Sequence, residues 1–566
     1  MRGGTLGSGS ELESPSYLLT EPVRNHRAQA VRVISAAHQA VGLKGLELTF
    51  DRTPPAHRYE PQPEGSSGQP AADRPRIARN LGALAGGQLV TWTMTLIWTL
   101  IVPRALGPVG LGIVVSAQSV AGVLGIVLGL GTRQYLVREI VLRPDHGPKL
   151  VGTALVLRLM LAPLVGLAAV LWAYLAHYSH DAAVVLYLIT AMTIFTLLAE
   201  PMQAGFQAIE RMKYLALADV FNKSAQSVIG IALIIGGFRA VGIASSMACI
   251  AGIVVVLNVL WLRRFLAIDI RTSARRLRTM TKQSISFWAF GLFAFVYFWI
   301  DTIMLTLMTS PHVVGWYGAT TNVLQTLMFL PVMVSTAWLP RLVNAASTSR
   351  RHLVEIARTP VEFVLIISVP IAAGIALVAS SLIHVVYGPR FANATPVLMV
   401  LAGCIPSLYL NIMLAQVLLA EKRQALWTIV MAGAAVINPL FNLVLIPATQ
   451  TRFHNGAIGA AISLVLTELL MVGVGLILVD RRVFTRSSLK RCALAIAASA
   501  GMWGAAYATR PLGSGLSVLA GVLTLAILVA ALRILSPEEL ALVRAGVRRL
   551  RGRGAALRAE PQTSTG

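Results

Sequence analysis

The stretch IVPRALGPVGLGIVVSA, residues 101–117, decides how this chain is read. It ends one apolar run, turns through Pro103 to Pro108, and opens another. Part of it returns about 205 residues later: LGPVGLGIVVSA (106–117) is matched by SPHVVGWYGATT (310–321), setting Val109-Gly110 against Val314-Gly315.

Three further matches follow in order. Pro163 pairs with Pro370, Glu210 with Glu421 and Gly242 with Gly459, at offsets of 207, 211 and 217. So small a drift predicts a unit used twice rather than chance.

Composition says what kind of unit. The chain has 566 residues, 56% hydrophobic and 13% charged, with mean hydropathy +0.70. A soluble domain of this size would lack the charge to stay in water. Apolar runs of about 20 residues recur, each long enough to cross a bilayer core of roughly 30 Å as a helix. The fold class is therefore an all-α polytopic membrane protein. About fourteen spans are expected, at 81–102, 110–131, 151–174, 182–199, 215–237, 241–262, 284–308, 315–339, 361–386, 395–420, 424–446, 456–479, 492–509 and 513–534.

The net charge of +24 is spread over short connections, which points to topology and away from nucleic acid. With the N-terminus inside, inner connections hold 24 Lys/Arg, and outer ones hold only Arg104, Arg239, Arg390, Arg452 and Arg510. Missing one span would swap every later loop, so both termini are expected in the cytoplasm.

The twelve spans inside the duplication form two six-helix bundles. Six is even, so both enter the membrane the same way, as parallel repeats. The domain plan is a disordered basic cytoplasmic tail (1–79), a first lobe (80–262) and a cytoplasmic linker (263–283). A second lobe (284–480), two extra helices (481–535) and a basic cytoplasmic tail (536–566) follow. Within the tails, 30–43 is weakly amphipathic. Residues 536–554 open with a capping box on Ser536 and Glu539 and continue as a basic amphipathic helix. Two such lobes leave a cleft suited to alternating access.

IVPRALGPVGLGIVVSA (101–117), DTIMLTLMTSPHVVGWYGATTNV (301–323), TPVLMVLAGCIPSLYLNIMLAQVLLAEKRQ (395–424) and NPLFNLVLIPATQTRFHNGAIGAAISLVLTE (438–468) resemble one known group of exporters. It is the polysaccharide-biosynthesis, Wzx-type O-antigen flippase branch of the multidrug/oligosaccharidyl-lipid/polysaccharide exporter superfamily. The resemblance covers about residues 78–480. It implies a V-shaped, MATE-like pair of bundles in the inner (plasma) membrane, with helices 1, 2, 7 and 8 lining the cleft. It also implies flipping of a lipid-linked oligosaccharide, commonly on undecaprenyl pyrophosphate. Glycosyltransferase or polymerase partners belong to the same picture. Fourteen spans suit some members better than the common twelve, including the peptidoglycan-precursor branch.

Chemistry supports such a cargo: its lipid tail stays in the bilayer, while sugars and pyrophosphate need a wet route with cations, Arg above all. Candidate substrate-binding residues are Arg104, Arg133, Gln118, Asn322 and Gln325. Arg104 serves equally well as an interfacial anchor, and the polar three as helix-to-helix bonds. Arg158, in span 3, reads either as a receiver of pyrophosphate on entry or, the reading preferred for a peripheral span, as a snorkelling residue.

Candidate coupling or cleft charges are Asp301, Asp219 and Lys223. Asp301 sits in FVYFWIDTIMLTLM (295–308), behind a narrow stripe of Tyr297, Ala294 and Gly291. It reads as a cation or proton site, a holder of an Arg, or a satisfied interhelical bond. Asp219 and Lys223, four apart, read as a helical ion pair. Glu468 is an acid with no legible partner.

Cys249, Cys404 and Cys492 read as small hydrophobes, and His146 and His352 stand isolated. No metal, cofactor or enzymatic motif is expected. Three other readings stay open: a cation-coupled multidrug exporter of the same fold, a peptidoglycan-precursor flippase, and a non-transporting scaffold of a glycan-assembly complex.

Overall fold

Gly107 breaks the first helix. Its φ of 68° and ψ of 178° suit a residue without Cβ, and Pro103 and Pro108 flank it. The element α1 (Arg74–Gly129) is thus two arms joined at a corner. The first arm runs alongside α5, where Ser227 donates to Met94 O and Gly230 receives Trp98. The second runs antiparallel to α7, meeting it at Ser116–Thr306, Gly122–Phe295 and Ile126–Trp288.

The computed structural model describes residues 74–532, and of residues 74–89, 92, 127, 286, 287, 289–291, 294, 512 and 514 the backbone alone. The patch at 30–43, the helix expected over 536–554 and almost all of both tails lie outside the described residues, as do the side chains of Gly291 and Ala294.

The remaining helices are α2 (Thr132–Leu142), α3 (Gly147–Leu175), α4 (His180–Ala208), α5 (Met212–Ile235), α6 (Ala240–Leu262), α7 (Ala274–Met308) and α8 (Pro311–Leu327). After them come α9 (Phe329–Thr348), α10 (Arg350–Tyr387), α11 (Ala394–Ala402), α12 (Ile405–Ala420), α13 (Gln424–Phe453), α14 (Gly456–Leu478), α15 (Arg486–Ala508) and α16 (Ser514–Ala531). No strand occurs among the described residues.

The protein is an all-helical, multi-span membrane protein. Among the described residues nine helical stretches are long and apolar enough to cross a bilayer, and α11 with α12, bent by 43°, makes a tenth. Side chains such as Ile235 (82% exposed) and Ile477 (72%) lie bare on the surface, as a lipid-facing belt requires.

Two expected spans are each built of two helices. The run 315–339 divides into α8 and α9 at Met328, just before Pro331. The run 395–420 breaks at Gly403-Cys404, because Pro406 in the first turn of α12 has no N–H to offer a preceding turn.

The buried core divides between the halves of the chain. One large cluster runs from Tyr297 to Val483 and takes only Leu111 and Val115 from earlier in the sequence. Two smaller clusters lie within 102–247 and 135–280.

Between the halves, residues 263–273 form a strap on α3. Asp269 N–H donates to Pro148 O at 3.1 Å, the Thr153 and Thr272 hydroxyls are 3.0 Å apart, and a Cβ at Gly152 would overlap Asp269 O. The strap is shorter than the expected linker, because Ser273 caps α7 ten residues before the apolar run at 284 begins.

Helix α15 packs on α10 through Ile366, Ala495 and Ala498. Arg491 pairs with Glu362 at 3.0 Å, and the Trp503 indole donates to Ala373 O.

Candidate functional site

The halves meet most closely where the opening stretch lies. A Cβ on Gly112 would overlap Pro311 O, and a Cβ on Gly315 would overlap Pro108 O. The contact is reciprocal: Pro108 and Gly112 stand to Pro311 and Gly315 at an offset of 203, two residues from the register of the sequence match. Backbone touches backbone there because neither glycine carries a side chain. Val115 covers Gly318 one turn on, and the Ser116 and Thr306 hydroxyls bond at 2.9 Å.

Arg104 reinforces this corner. It is exposed, and its Nη1 donates to Val385 O, 3.3 Å away, near the C-terminal end of α10, where free carbonyls favour a cation. Arg104 is therefore a clasp between the halves at the end of the molecule that the charge count assigns to the outer side.

Just past the Val115–Gly318 contact, the paired helices carry Gln118 on one side and Asn322 and Gln325 on the other. Gln118 and Asn322 are half-buried and Gln325 is exposed. None of the three side chains hydrogen-bonds to another described residue, so the helix-to-helix role open to them in the sequence is not used here.

Arg133 lies beyond the corner made by Leu130 (φ 45°) and Gly131 (φ 63°). It is half-buried, without a hydrogen bond or ion pair among the described residues, and within electrostatic reach of Asp219 and Arg158. Asp219 and Lys223 are both exposed on α5 and make no direct ion pair, contrary to expectation. The two charges still act on each other through space, and where water reaches them a fixed contact gains little over that.

Asp301 corrects a second expectation. It does not face the space between the halves and holds no Arg. It is 3% exposed, inside the second half, between α7, α8 and α13. Tyr317 OH donates to its Oδ2 at 2.9 Å and Asn442 Nδ2 to its Oδ1 at 2.6 Å. The same Asn442 amide bonds Asn438 Oδ1 at 2.8 Å, leaving Asn442 Oδ1 and Asn438 Nδ2 buried without partners.

Glu468 is 2% exposed and accepts from Tyr297 OH, one turn before Asp301 on α7, and from Asn411 Nδ2 at 2.6 Å. Neither acid has a cationic partner among the described residues. A buried carboxylate is tolerated when hydrogen-bonded, and these two are held by neutral donors alone.

Arg158 corrects a third. It does not snorkel: its side chain is 0% exposed and 2.8 Å from Glu200 of α4. It also donates to Thr132 Oγ1 at 2.8 Å and to Leu197 O. Its neighbours supply acceptors for both terminal nitrogens, while Nε is buried without one among the described residues.

Sequence reasoning missed Tyr317, Asn411, Asn438, Asn442 and Glu200. The signal was available in part: Asn438 and Asn442 stand four apart within an apolar run, where amides are costly unless they face protein. Among the described residues no group of three His, Cys, Asp or Glu side chains is placed to hold a metal ion.

Comparison with known proteins agrees with this architecture. Residues 77–346 match a family model described as "Polysaccharide biosynthesis protein". A structure described as "Lipid II flippase MurJ, inward closed conformation" aligns over 80% of this chain and 98% of its own, at 11% identity and a TM-score of 0.65. Another, an "Inward-facing conformation of a multidrug resistance MATE family transporter of the MOP superfamily", covers 70% of this chain and 94% of its own, at 16% identity and 0.56. No curated protein matches the sequence.

Proposed function

We propose that this chain is a member of the multidrug/oligosaccharidyl-lipid/polysaccharide exporter superfamily and flips a lipid-linked oligosaccharide or polysaccharide precursor across the inner membrane by alternating access. One observation carries the reading. At the Gly112–Gly315 corner the halves touch backbone to backbone, and Gln118, Asn322 and Gln325 just beyond it make no side-chain hydrogen bond to another described residue. A close backbone contact followed by unbonded polar side chains suits a rocking transporter.

The distribution of charge favours an anionic cargo over a cationic drug. Arg104 reaches across the seam, whereas Asp301 and Glu468 are buried inside the second half and add no negative charge to it. Guanidinium groups suit a pyrophosphate. In this reading Arg133 receives the head group on entry, the three polar side chains bond the sugars, and Asp301 with Asn438 and Asn442 forms the coupling site for a proton or a cation.

The test is a cross-link in reconstituted protein with Cys249, Cys404 and Cys492 replaced. Joining Ser116→Cys to Thr306→Cys should stop the transfer of a fluorescent lipid-linked oligosaccharide, and reductant should restore it. Transfer that continues with the pair fully cross-linked overturns alternating access at this seam. The same vesicles loaded with peptidoglycan precursor, or with a cationic dye, separate the other cargoes.

A further inference from the structure

The far end of α10 carries a cavity that the transport reading does not use. It has a volume of about 380 Å³ and lies between the first turns of α10 and the link after α14, with Arg350, Arg351, Glu355, Arg358, Asp480 and Arg482 in its wall. Both segments belong to connections that the charge count assigns to the inner side. With 38 residues, α10 is about 57 Å long. That exceeds the roughly 40–45 Å of a whole bilayer, so its first turns reach head-group level or beyond.

Three features distinguish this cavity from an ordinary basic loop. Its charge does not balance: four guanidiniums face two carboxylates. The ion pairs are long, with Arg350 Nε 3.6 Å from Asp480 Oδ2 and Arg351 Nε 3.4 Å from Glu355 Oε1, while Asp480 Oδ1 accepts from the Arg482 N–H at 3.0 Å. His352 stands 3.9 Å from Glu355 and adds no negative charge.

The second feature is Arg358. Its Nη2 is pinned by Arg482 O at 3.1 Å, while its Nε is buried and donates to nothing. A buried guanidinium N–H without an acceptor is costly, and an anion in the cavity removes that cost.

The third feature is the helix itself. The first turn of α10 holds no acid and begins with two arginines, against the positive end of the helix dipole. Ser349 satisfies the His352 N–H with its side chain and the Leu353 N–H with its carbonyl, so the turn is capped while its two leading side chains stay cationic. Topology alone requires positive charge on this side, but neither a half-open cavity lined by four guanidiniums nor an orphaned N–H among them.

We propose that this cavity is a binding site for a phosphate group, held by Arg350, Arg351, Arg358 and Arg482 at the start of α10. A phosphate ester carries one to two negative charges, which matches the local excess, and its oxygens accept from guanidinium forks. The phosphate comes either from an anionic phospholipid of the adjacent leaflet or from a soluble phosphate compound.

The experiment uses the full chain in nanodiscs. In phosphatidylcholine discs, inorganic phosphate and pyrophosphate are titrated and followed by calorimetry. In discs containing phosphatidylglycerol, retained lipid is counted by native mass spectrometry. Arg350, Arg351 and Glu355 are exposed, so their substitution leaves the fold intact. The pair Arg350→Gln/Arg351→Gln should weaken binding by roughly tenfold or more, since two charge-assisted bonds are lost. Glu355→Gln should tighten it by removing a competing carboxylate. Arg275→Gln/Arg276→Gln, with the same loss of charge on the strap side, should leave it unchanged.

Saturable phosphate or pyrophosphate binding that follows this pattern supports the soluble source. Phosphatidylglycerol retention that follows it supports the membrane source. Failure of both probes to bind, or equal loss in the Arg275/Arg276 pair, overturns the proposal.

Discussion

The two halves of the molecule bury charge in opposite ways. In the first half Arg158 is enclosed with its own counter-ion, Glu200, and with hydroxyl and carbonyl acceptors around it. In the second half Asp301 and Glu468 are enclosed with phenols and amides but no cation. The first cluster pairs its charge with a counter-ion, although Arg158 Nε is left buried without an acceptor among the described residues. The second is held by neutral donors, with Asn442 Oδ1 and Asn438 Nδ2 buried without partners among the described residues. In the proposed reading the ion-paired cluster is the static lock and the acid layer is the site that changes state, a difference in sign and in the presence of a counter-ion.

The largest expected effect tests the lock. Arg158→Met leaves Glu200 without its partner and should destabilise the protein by about 3–5 kcal/mol. Thermal unfolding in detergent measures it, and adding Glu200→Met should recover most of the loss. A single variant as stable as the parent would break the comparison at its first term.

A smaller effect is expected at the acid layer. Tyr297→Phe removes a donor to buried Glu468 and should cost about 1–3 kcal/mol. The loss should shrink when Glu468→Gln is added, and additivity of the two would show that the contact carries no energy.

The smallest effect on stability and the sharpest on function belong to Asp301. Asp301→Asn preserves the shape and the Asn442 and Tyr317 contacts with one amide reorientation, so stability should change by less than about 1 kcal/mol. Transfer of lipid-linked oligosaccharide should nevertheless fall, because the amide cannot gain and lose charge. Unchanged transfer would make Asp301 a structural acid like any other satisfied buried group.

The corner of α1 offers an independent check on how the halves meet. Gly112→Leu inserts a side chain where Pro311 O already lies, so the seam must open. Thiol labelling of Thr306→Cys in a background without native cysteines should speed up in that variant, and an unchanged rate would deny the seam its role.

Much of this was legible from the chain alone, for a definite reason. Apolar length and the placement of Lys and Arg respond to the bilayer, which acts on each segment separately; over the described residues the expected spans fall largely on helix, and nine or ten stretches are long and apolar enough to cross. The duplicated PVG-like stretch marked the two corners that touch, although the touching residues lie two positions from the matched register. The breaks at Met328 and Gly403-Cys404 were hidden, since a proline near a helix start is compatible with either a continuous span or a broken one.

The partners of the buried charges were beyond sequence. Arg158 looked like a snorkelling residue because its spacing to the membrane edge is visible, whereas Glu200, 42 positions away, is not. Asp301 was recognised as costly, but Tyr317 lies 16 residues off and Asn442 lies 141. Segment composition is a local property and was enough for the all-helical, multi-span class. Which donor meets which acid depends on how helices from distant parts of the chain cross, and only packing in three dimensions decides that.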